Sequence, residues 1–536
     1  MITDTVTHIL KRYEDAQAKR QPFDADWTSI RDFVRPVTVS FNKTTGQFTS
    51  VRPETMYDGT ASDALEELAA ALHSYMTSSA ERWFELQIHG TPKNKLSYDE
   101  LAWLEECTNI IYSYYQRDDC NLYASLHEVY LDLGSYGTAC LNQEWDSDTG
   151  GFVFTAHPLA HSYFLENSKG RVDTMFNCRT WTLRQLKQEF GKLTPELMKI
   201  NNDEKAVEVI HYVGPRTDRP IGASPTRKAF ASIWIVVSTK EIIHESGYDT
   251  FPYHCPRWTK LSGEFYGRGP ARRCLPDIKM LNAMEKTTLK AGQKQVDPPL
   301  VLANEGFLLP IRTSPGSLIF KEDEERQITP LEMKGNLPWA EDKMEQKRDF
   351  IRRCFFNDWI RREKKKREQS ATEIMDDRDE MLRLFSPILG RITNELHGPM
   401  VARSYYLLDE RRKLPMAPQS LENRRLSVGY TSAAARAQIG SIANQISQFL
   451  QDLIPMAQVD PSIMDAVDMD IVAQELAIAR GTPRTILRSP EALKALRQQK
   501  QAMQSAQQLS EIAEPASKAV KNIADAQQAG GLEGML

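Results

Sequence analysis

The sequence predicts an α+β fold, mainly helical with one β-rich subdomain, and three observations carry that prediction. Amphipathic helical runs fill much of the first third up to Gly134, strand-like runs cluster between 138 and 255, and long charged helical stretches dominate from about 275 onward. At 536 residues the chain exceeds one ordinary core, so two or more domains are expected. Its 41% hydrophobic and 26% charged residues are near globular averages. No apolar run approaches the roughly 18 residues of a membrane span, so no membrane partner is expected. The N-terminus MITDTVTHILKRYEDA carries acidic residues early and has no apolar signal core, which speaks against secretion. Seven cysteines (107, 120, 140, 178, 255, 274 and 354) never form a CxxC pair. They fit free thiols in a reducing compartment better than disulfides or zinc.

The elements follow in order. In DGTASDALEELAAALHSYMTS, Leu65, Leu68, Ala69, Leu72, Tyr75 and Met76 recur on one helical face. Ser97 and Glu100 have capping-box spacing ahead of a helix carrying Leu101, Leu104, Ile111 and Tyr115. A third helix runs through Leu122, Leu126, Val129 and Leu133 and is expected to end at Gly134. TACLNQEWDSDTGGFVFTAHP then reads as a hairpin, and AVEVIHYV, FASIWIVVS and KEIIHES as further strands, interrupted by a helix in TWTLRQLKQEFG. A long helix is expected from Leu275 to the Pro298–Pro299 stop, and a second from Pro338 and Trp339 into the run ending at Phe356. The segment between them holds short strand-like pieces, LVLAN and SLIFK. A very long helix from about residue 371 should kink at Pro387. Further helices are expected in SAAARAQIGSIANQISQFLQDLIPMA and from Pro461 to Arg480. Between Glu491 and Gln528, Ala and Gln supply 17 of 38 residues, a helix-favouring tail with little apolar surface.

Candidate chemistry is sparse. DSDTGG, residues 146–151, lacks the ligands of a calcium loop and reads as a hairpin turn. His157 and His161 flank Pro158 after a strand, without the acidic residue of a HExxH metal site. GRGPAR lacks a dinucleotide fingerprint and reads as a sharp turn. Asp465, Asp468 and Asp470 are ordinary early-helix acids. No GxxxxGK[ST], GxSxG or kinase signature occurs, so no catalytic residue, metal or cofactor is expected, and the chain is not read as an enzyme.

One stretch stands apart. DWIRREKKKREQSATEI puts six cations into seven positions: Arg361, Arg362, Lys364, Lys365, Lys366 and Arg367. From Lys347 to Arg367 there are ten basic residues against three acidic ones, in a chain of net charge −5. A solvated helix face is the plain explanation. Positions 364–367 are consecutive, however, so they cannot share one face, and a loop or helix end directed at a polyanion fits better. Aromatic residues are not interleaved, so backbone contact without sequence reading is the implied mode.

The order of elements resembles the portal, or head-to-tail connector, proteins of short-tailed bacteriophages. FYGRGPARRCLPDIKMLNAMEK, DPPLVLAN and SATEIMDDRDEMLRLFSPILGRITNELHGPMVARSYYLL carry the resemblance, together with RYEDAQAKRQPFDADWTSIRDFVRP and DGTASDALEELAAALHSYMTSSAERWFEL. It spans most of residues 5–490 and rests on order and extent. The resemblance implies a ring-forming subunit of wing, stem, clip and crown architecture. The wing would take 1–268, the stem helices 269–297 and 338–357, and the clip 298–337. A basic tunnel loop would follow at 358–371, a long kinked wing helix and connection at 372–424, a crown at 425–490 and a helical tail or barrel at 491–536.

It further implies twelve copies at one virion vertex, assembled in the host cytoplasm around a channel for double-stranded DNA. The partners would be the terminase motor, the tail adaptor, and capsid and scaffold proteins. Residues 361–368 carry a net +4 per subunit, about +48 over twelve copies, whereas a ring roughly 15 Å deep meets only about nine phosphates. Some of these cations are therefore expected to pair with Asp376, Asp377 and Glu380 of neighbours, leaving a gate or grip instead of tight binding. The alternative readings are a DNA-processing factor binding duplex through 361–367, and a helical scaffold with a solvated charge run.

Overall fold

Helical periodicity and capping set the first elements. In the computed structural model these are α1 (Ile2–Phe33), α2 (Thr60–Met76), β1 (Phe84–Ile88), α3 (Tyr98–Tyr115) and α4 (Leu122–Tyr136). The strand-rich region holds β2 (Leu141–Asp146), β3 (Gly151–Ala156), β4 (Ser162–Glu166), β5 (Val172–Thr182), α5 (Leu183–Phe190) and α6 (Pro195–Met198). It continues with β6 (Ala206–Pro215), β7 (Phe230–Val236), β8 (Glu241–Tyr248) and β9 (Tyr253–His254). Then come α7 (Pro270–Val296), β10 (Leu300–Val301), β11 (Thr329–Pro330), α8 (Leu337–Cys354), α9 (Gly398–Glu410), β12 (Leu426–Tyr430) and α10 (Met469–Ala479). The structure describes residues 2–36, 56–91, 95–191, 194–198, 202–217, 222, 224–296, 300–301, 329–330, 337–357, 385–421, 424–430, 443, 445–455, 467–479, 493, 495–500 and 503. Helix and sheet are both substantial, as an α+β class requires. Among the described residues, no helix is long and apolar enough to cross a membrane.

The chain forms two compact units. The first, Met1–Gly90, Leu104–Ala417 and Glu422–Ala433, is built on a five-stranded antiparallel sheet in the order β4-β5-β6-β7-β8. Alternation along the strands gives that sheet two apolar faces. Val6, Ile9, Tyr13 and Ala16 of α1 cover one face, packing on Phe176, Ile210, Tyr212, Ile233 and Ile235. Leu183, Leu186 and Leu197 of α5 and α6 cover the other, against Val207, Val209, Trp234 and Val236. The helix interrupting the strands starts with a capping box between Thr182 and Gln185. A smaller sheet, β3-β2-β9, carries the expected hairpin. Asp146 opposes Gly151 there, and Asp146 accepts from Asp148 N and the Thr149 hydroxyl. That turn is a hairpin turn.

In the second unit, Thr91–Trp103, Pro418–Leu421 and Ala434–Leu536, the capping box is present: Ser97 N donates to Glu100 Oε2 at 2.8 Å and Glu100 N to Ser97 Oγ at 3.3 Å. Residues 445–455 are helical, and Asp468 caps α10 by accepting from Ile471 N. Phe449, Ile454 and Ile471 in these helices are exposed.

Three expectations need correction or relocation. The helix through Leu133 does not end at Gly134. It runs to Tyr136 and is closed by Gly137 in the left-handed region, φ 79°. Gly134 is instead a packing residue, since a Cβ there would lie 2.5 Å from Leu65 of α2. The next long helix begins at Pro270, five residues before Leu275, because proline suits a first helical position where its missing N–H costs nothing. Its lead-in is glycine-rich because backbones nearly touch. A Cβ at Gly267 would sit 2.1 Å from Gly137 O, and one at Gly269 2.8 Å from Leu133 O. Finally, residues 385–392 are helical through Pro387, whose preceding turn lies outside the described residues. The visible irregularity is a π-helical turn at Thr393–His397, closed by Gly398 N donating to Thr393 O. It immediately precedes Pro399, whose ring would crowd the carbonyl four residues back in a regular α-helix.

Four histidines are buried as neutral rings. Burial drives His157, His254 and His397 down to about 3, with Arg179 beside His157 and Arg403 beside His254 adding to it. His211 is pushed well below its ordinary value by burial and then by Arg179. The unfolded chain takes up these protons from about pH 6.5 downward while the folded chain does not, so stability is lost as pH falls through that window. Each such histidine contributes roughly 1 kcal/mol of loss between pH 7.5 and 5.5. Denaturant midpoints should drop over that interval, and His397→Gln should flatten the dependence. Gly267→Ala should destabilise by about 1–3 kcal/mol, measured by chemical unfolding.

Candidate nucleic-acid interface

The six cations Arg361, Arg362, Lys364, Lys365, Lys366 and Arg367, and the acids Asp376, Asp377 and Glu380 expected to pair with them, lie outside the described residues. What the structure gives is their mounting. α7 and α8 pack antiparallel, with Lys347 Nζ on Asp277 at 2.7 Å and Thr288 beside Met344. Met344, Ile351 and Phe355 form the apolar face of α8. Asp277, Cys274 and Ile278 lie on the first turns of α7, beside the end of α8 that leads toward residue 361.

Three cations of α8, Lys347, Arg348 and Arg352, are paired within the chain. Arg348 is held by Asp58 at 3.1 Å, by Glu285 and by Glu345. Arg352 pairs with Glu345 and Asp349, each at 3.0 Å, and these arginines hold the Glu345 carboxyl below the usual carboxylate range. Of the ten cations between 347 and 367, Lys347, Arg348 and Arg352 thus serve the helix pair. Six further cations follow in the sequence at 361–367.

The two ends of the intervening segment are clamped together. Phe356, in the left-handed region at φ 61°, follows the end of α8 and packs against Phe385 with ring centroids 4.4 Å apart and the rings tilted by 53°. Trp258 lies behind Phe356 at 6.3 Å. Asn357, 3% exposed, donates from Nδ2 to Glu67 of α2. Phe356, just past the end of α8, and the helical residue Phe385 therefore meet at one apolar point. Nothing in the residue pattern announced that clamp, because Phe356 and Phe385 are 29 positions apart.

Behind the clamp, Arg257 is 2% exposed and binds two carboxylates from distant elements. It donates to Glu395 of the π-turn at 2.8 and 3.0 Å and pairs with Glu166 at the end of β4. Its remaining donors reach Phe265 O and Gly170 O. A cleft of about 1050 Å³ opens beside it, lined by Lys169, Arg171, Lys260 and Arg391 among others, and by β12. β12 pairs with β1 on one side only. His89 N bonds to Arg425 O, so the ladder phase turns the N–H and C=O groups of Leu426, Val428 and Tyr430 away from β1. Those groups have no partner among the described residues. Two of the matching outer N–H groups of β1 are satisfied, Phe84 N by Tyr112 and Leu86 N by Thr108.

His157 and His161 do not make a metal site: the His157 ring lies 3.1 Å from the Arg179 guanidinium, and among the described residues no cluster of three His, Cys, Asp or Glu could hold a metal.

Residues 6–487 match the family described as bacteriophage head to tail connecting protein. The chain belongs to that family. Two curated relatives agree in kind. A probable portal protein of Bordetella phage BPP-1 is 28% identical over 477 residues, covering 86% of this chain and 85% of the relative. A portal protein of Salmonella phage epsilon15 is 25% identical over 507 residues, covering 91% and 90%. The connector's match continues across α8, the basic stretch and the π-turn, so these features lie inside the family's common body.

Arg348→Ala leaves Asp58 and Glu285 half-buried without their cation and should cost about 2 kcal/mol. Arg352→Ala, between more exposed partners, should stay within about 0.5 kcal/mol. Urea unfolding of the two variants checks the contrast.

Proposed function

We propose that twelve copies of this connector close into a ring at one capsid vertex, forming the channel for double-stranded DNA during packaging and ejection. The carrying observation is the charge distribution along the sequence: Lys347, Arg348 and Arg352 are paired within the chain, and six further cations crowd positions 361–367. A dense cationic sequence following a helix pair tied by ion pairs suits contact with a sliding polyanion. Backbone phosphates would be touched without reading sequence. In this reading α7 and α8 are the stem, 298–337 the clip and 358–371 the tunnel loop. The clip would meet the terminase motor and later the tail adaptor, with capsid and scaffold proteins around the wing. The chain itself performs no covalent chemistry, and nucleotide hydrolysis belongs to the motor.

Unsatisfied surfaces support a head-to-tail ring. Such rings join two different patches of one subunit, and they close when the rotation permits. The free edge of β12 and the exposed Phe449, Ile454 and Ile471 are surfaces that a neighbouring copy would cover.

Native mass spectrometry of the purified chain tests the assembly: a closed species near twelve times 61.1 kDa is expected, and a stable monomer or dimer across salt concentrations overturns it. Replacing Lys364, Lys365, Lys366 and Arg367 with Gln should leave the ring intact and change DNA retention on the order of tenfold or more. Unchanged packaging and retention would remove the channel role from this stretch.

A further inference from the structure

All seven cysteines are buried free thiols, and four of them meet in pairs across different elements. Cys274, in the first turns of α7, lies against Cys354, the last residue of α8, thiol to thiol. The antiparallel packing that sets Lys347 on Asp277 brings these two positions together at the base of the helix pair. Cys140 and Cys255 face each other across the β2–β9 ladder. Leu141 opposes His254, Ala139 N bonds to Pro256 O, and Gln143 N bonds to Pro252 O. That phase makes Cys140 and Cys255 a directly opposed, non-hydrogen-bonded pair, whose Cα atoms are about 4.5 Å apart in antiparallel sheets. Disulfides span Cα separations from about 4.4 Å upward. Cys107, Cys120 and Cys178 have no such opposite cysteine.

We propose that the chain carries two oxidisable dithiol sites, Cys274–Cys354 and Cys140–Cys255, and that the first closes to a disulfide well ahead of the second. Access gives the order, and the local charge agrees with it. Cys354 is the most accessible of the four, 7% exposed against 1% for Cys140, so it meets the oxidant first. Cys274 beside it and the nearby Arg273 and Arg353 lower its thiol from the ordinary value. Burial, and then Cys255, push the Cys140 thiol well above its ordinary value, which leaves it inert until the ladder opens.

The chemistry balances with a disulfide oxidant. The Cys354 thiolate attacks one sulfur of a small-molecule disulfide, expelling a thiolate and forming a mixed disulfide. Cys274, losing its proton, then displaces the second thiolate and closes the intramolecular bond. Two protein thiols are oxidised and one external disulfide is reduced to two thiols. The product ties the end of α8 to the start of α7, just before the basic stretch. The bond itself does not depend on the ring reading. That reading adds only where the oxidant is met, when an assembled particle leaves a reducing compartment.

The test uses the full chain, reduced and then exposed to oxidised glutathione at neutral pH, trapped with N-ethylmaleimide in denaturant and weighed intact. Seven adducts are expected before oxidation, five after a short exposure and three after a long one. Peptide mapping should link Cys274 to Cys354 first, with a closing rate at least tenfold above that of Cys140–Cys255, and the linked chain should melt several degrees higher. Cys354→Ser should abolish the first step and spare the second; if that variant does not fold, the wild-type map carries the assignment. Seven adducts throughout, links to Cys107, Cys120 or Cys178, or earlier closure of Cys140–Cys255 would overturn the proposal. None of these readouts depends on whether the chain forms a ring.

Discussion

The first unit depends on one buried cation. Arg257 follows β9 in an extended stretch, and its guanidinium gathers Glu166 from the end of β4, Glu395 from the π-turn and two backbone carbonyls. The carboxylates are 229 positions apart in sequence, so the contact fastens the large sheet to the C-terminal helices. A buried charge tolerates this position only with all its donors satisfied, because the cost of removing it from water is large unless paired and hydrogen-bonded. The π-turn belongs to the same constraint. It accommodates Pro399, and it directs Glu395 toward Arg257 and the His397 ring into the core.

That anchor bears on the candidate interface through Trp258, the next residue, which backs the Phe356–Phe385 clamp. Sheet, π-turn and the α7–α8 pair therefore converge at the Phe356–Phe385 contact. The ion pairs on α8 serve the same rigidity. Arg348 joins α8 to α7 and to the residues before α2, and Asn357 joins the end of α8 to α2 itself.

Much of this was legible in advance. The 3.6-residue recurrence of Leu65, Leu68 and Leu72 and the alternation in AVEVIHYV report burial directly, since each is a periodicity of one element facing one core. The capping boxes at Ser97 and Thr182 are local chemistry complete within four residues. The errors arose where the deciding neighbour was remote. Gly134 looked like a helix stop, yet it is small because Leu65 of another helix lies against it. GRGPAR looked like a turn without a purpose, yet its glycines let one backbone approach that of Gly137.

The sequence by itself determined the class of the molecule, the order of its elements and the place where positive charge accumulates. These depend on residue type and on spacing within a few turns or strands. Only the tertiary structure decided that Lys347, Arg348 and Arg352 are paired within the chain, that Phe356 meets Phe385, that Arg257 meets both Glu166 and Glu395, and that Cys140 faces Cys255. Each of those is a pairing between residues brought together by the packing of separate elements, and pairing partners at long range leave no periodic trace in a single chain.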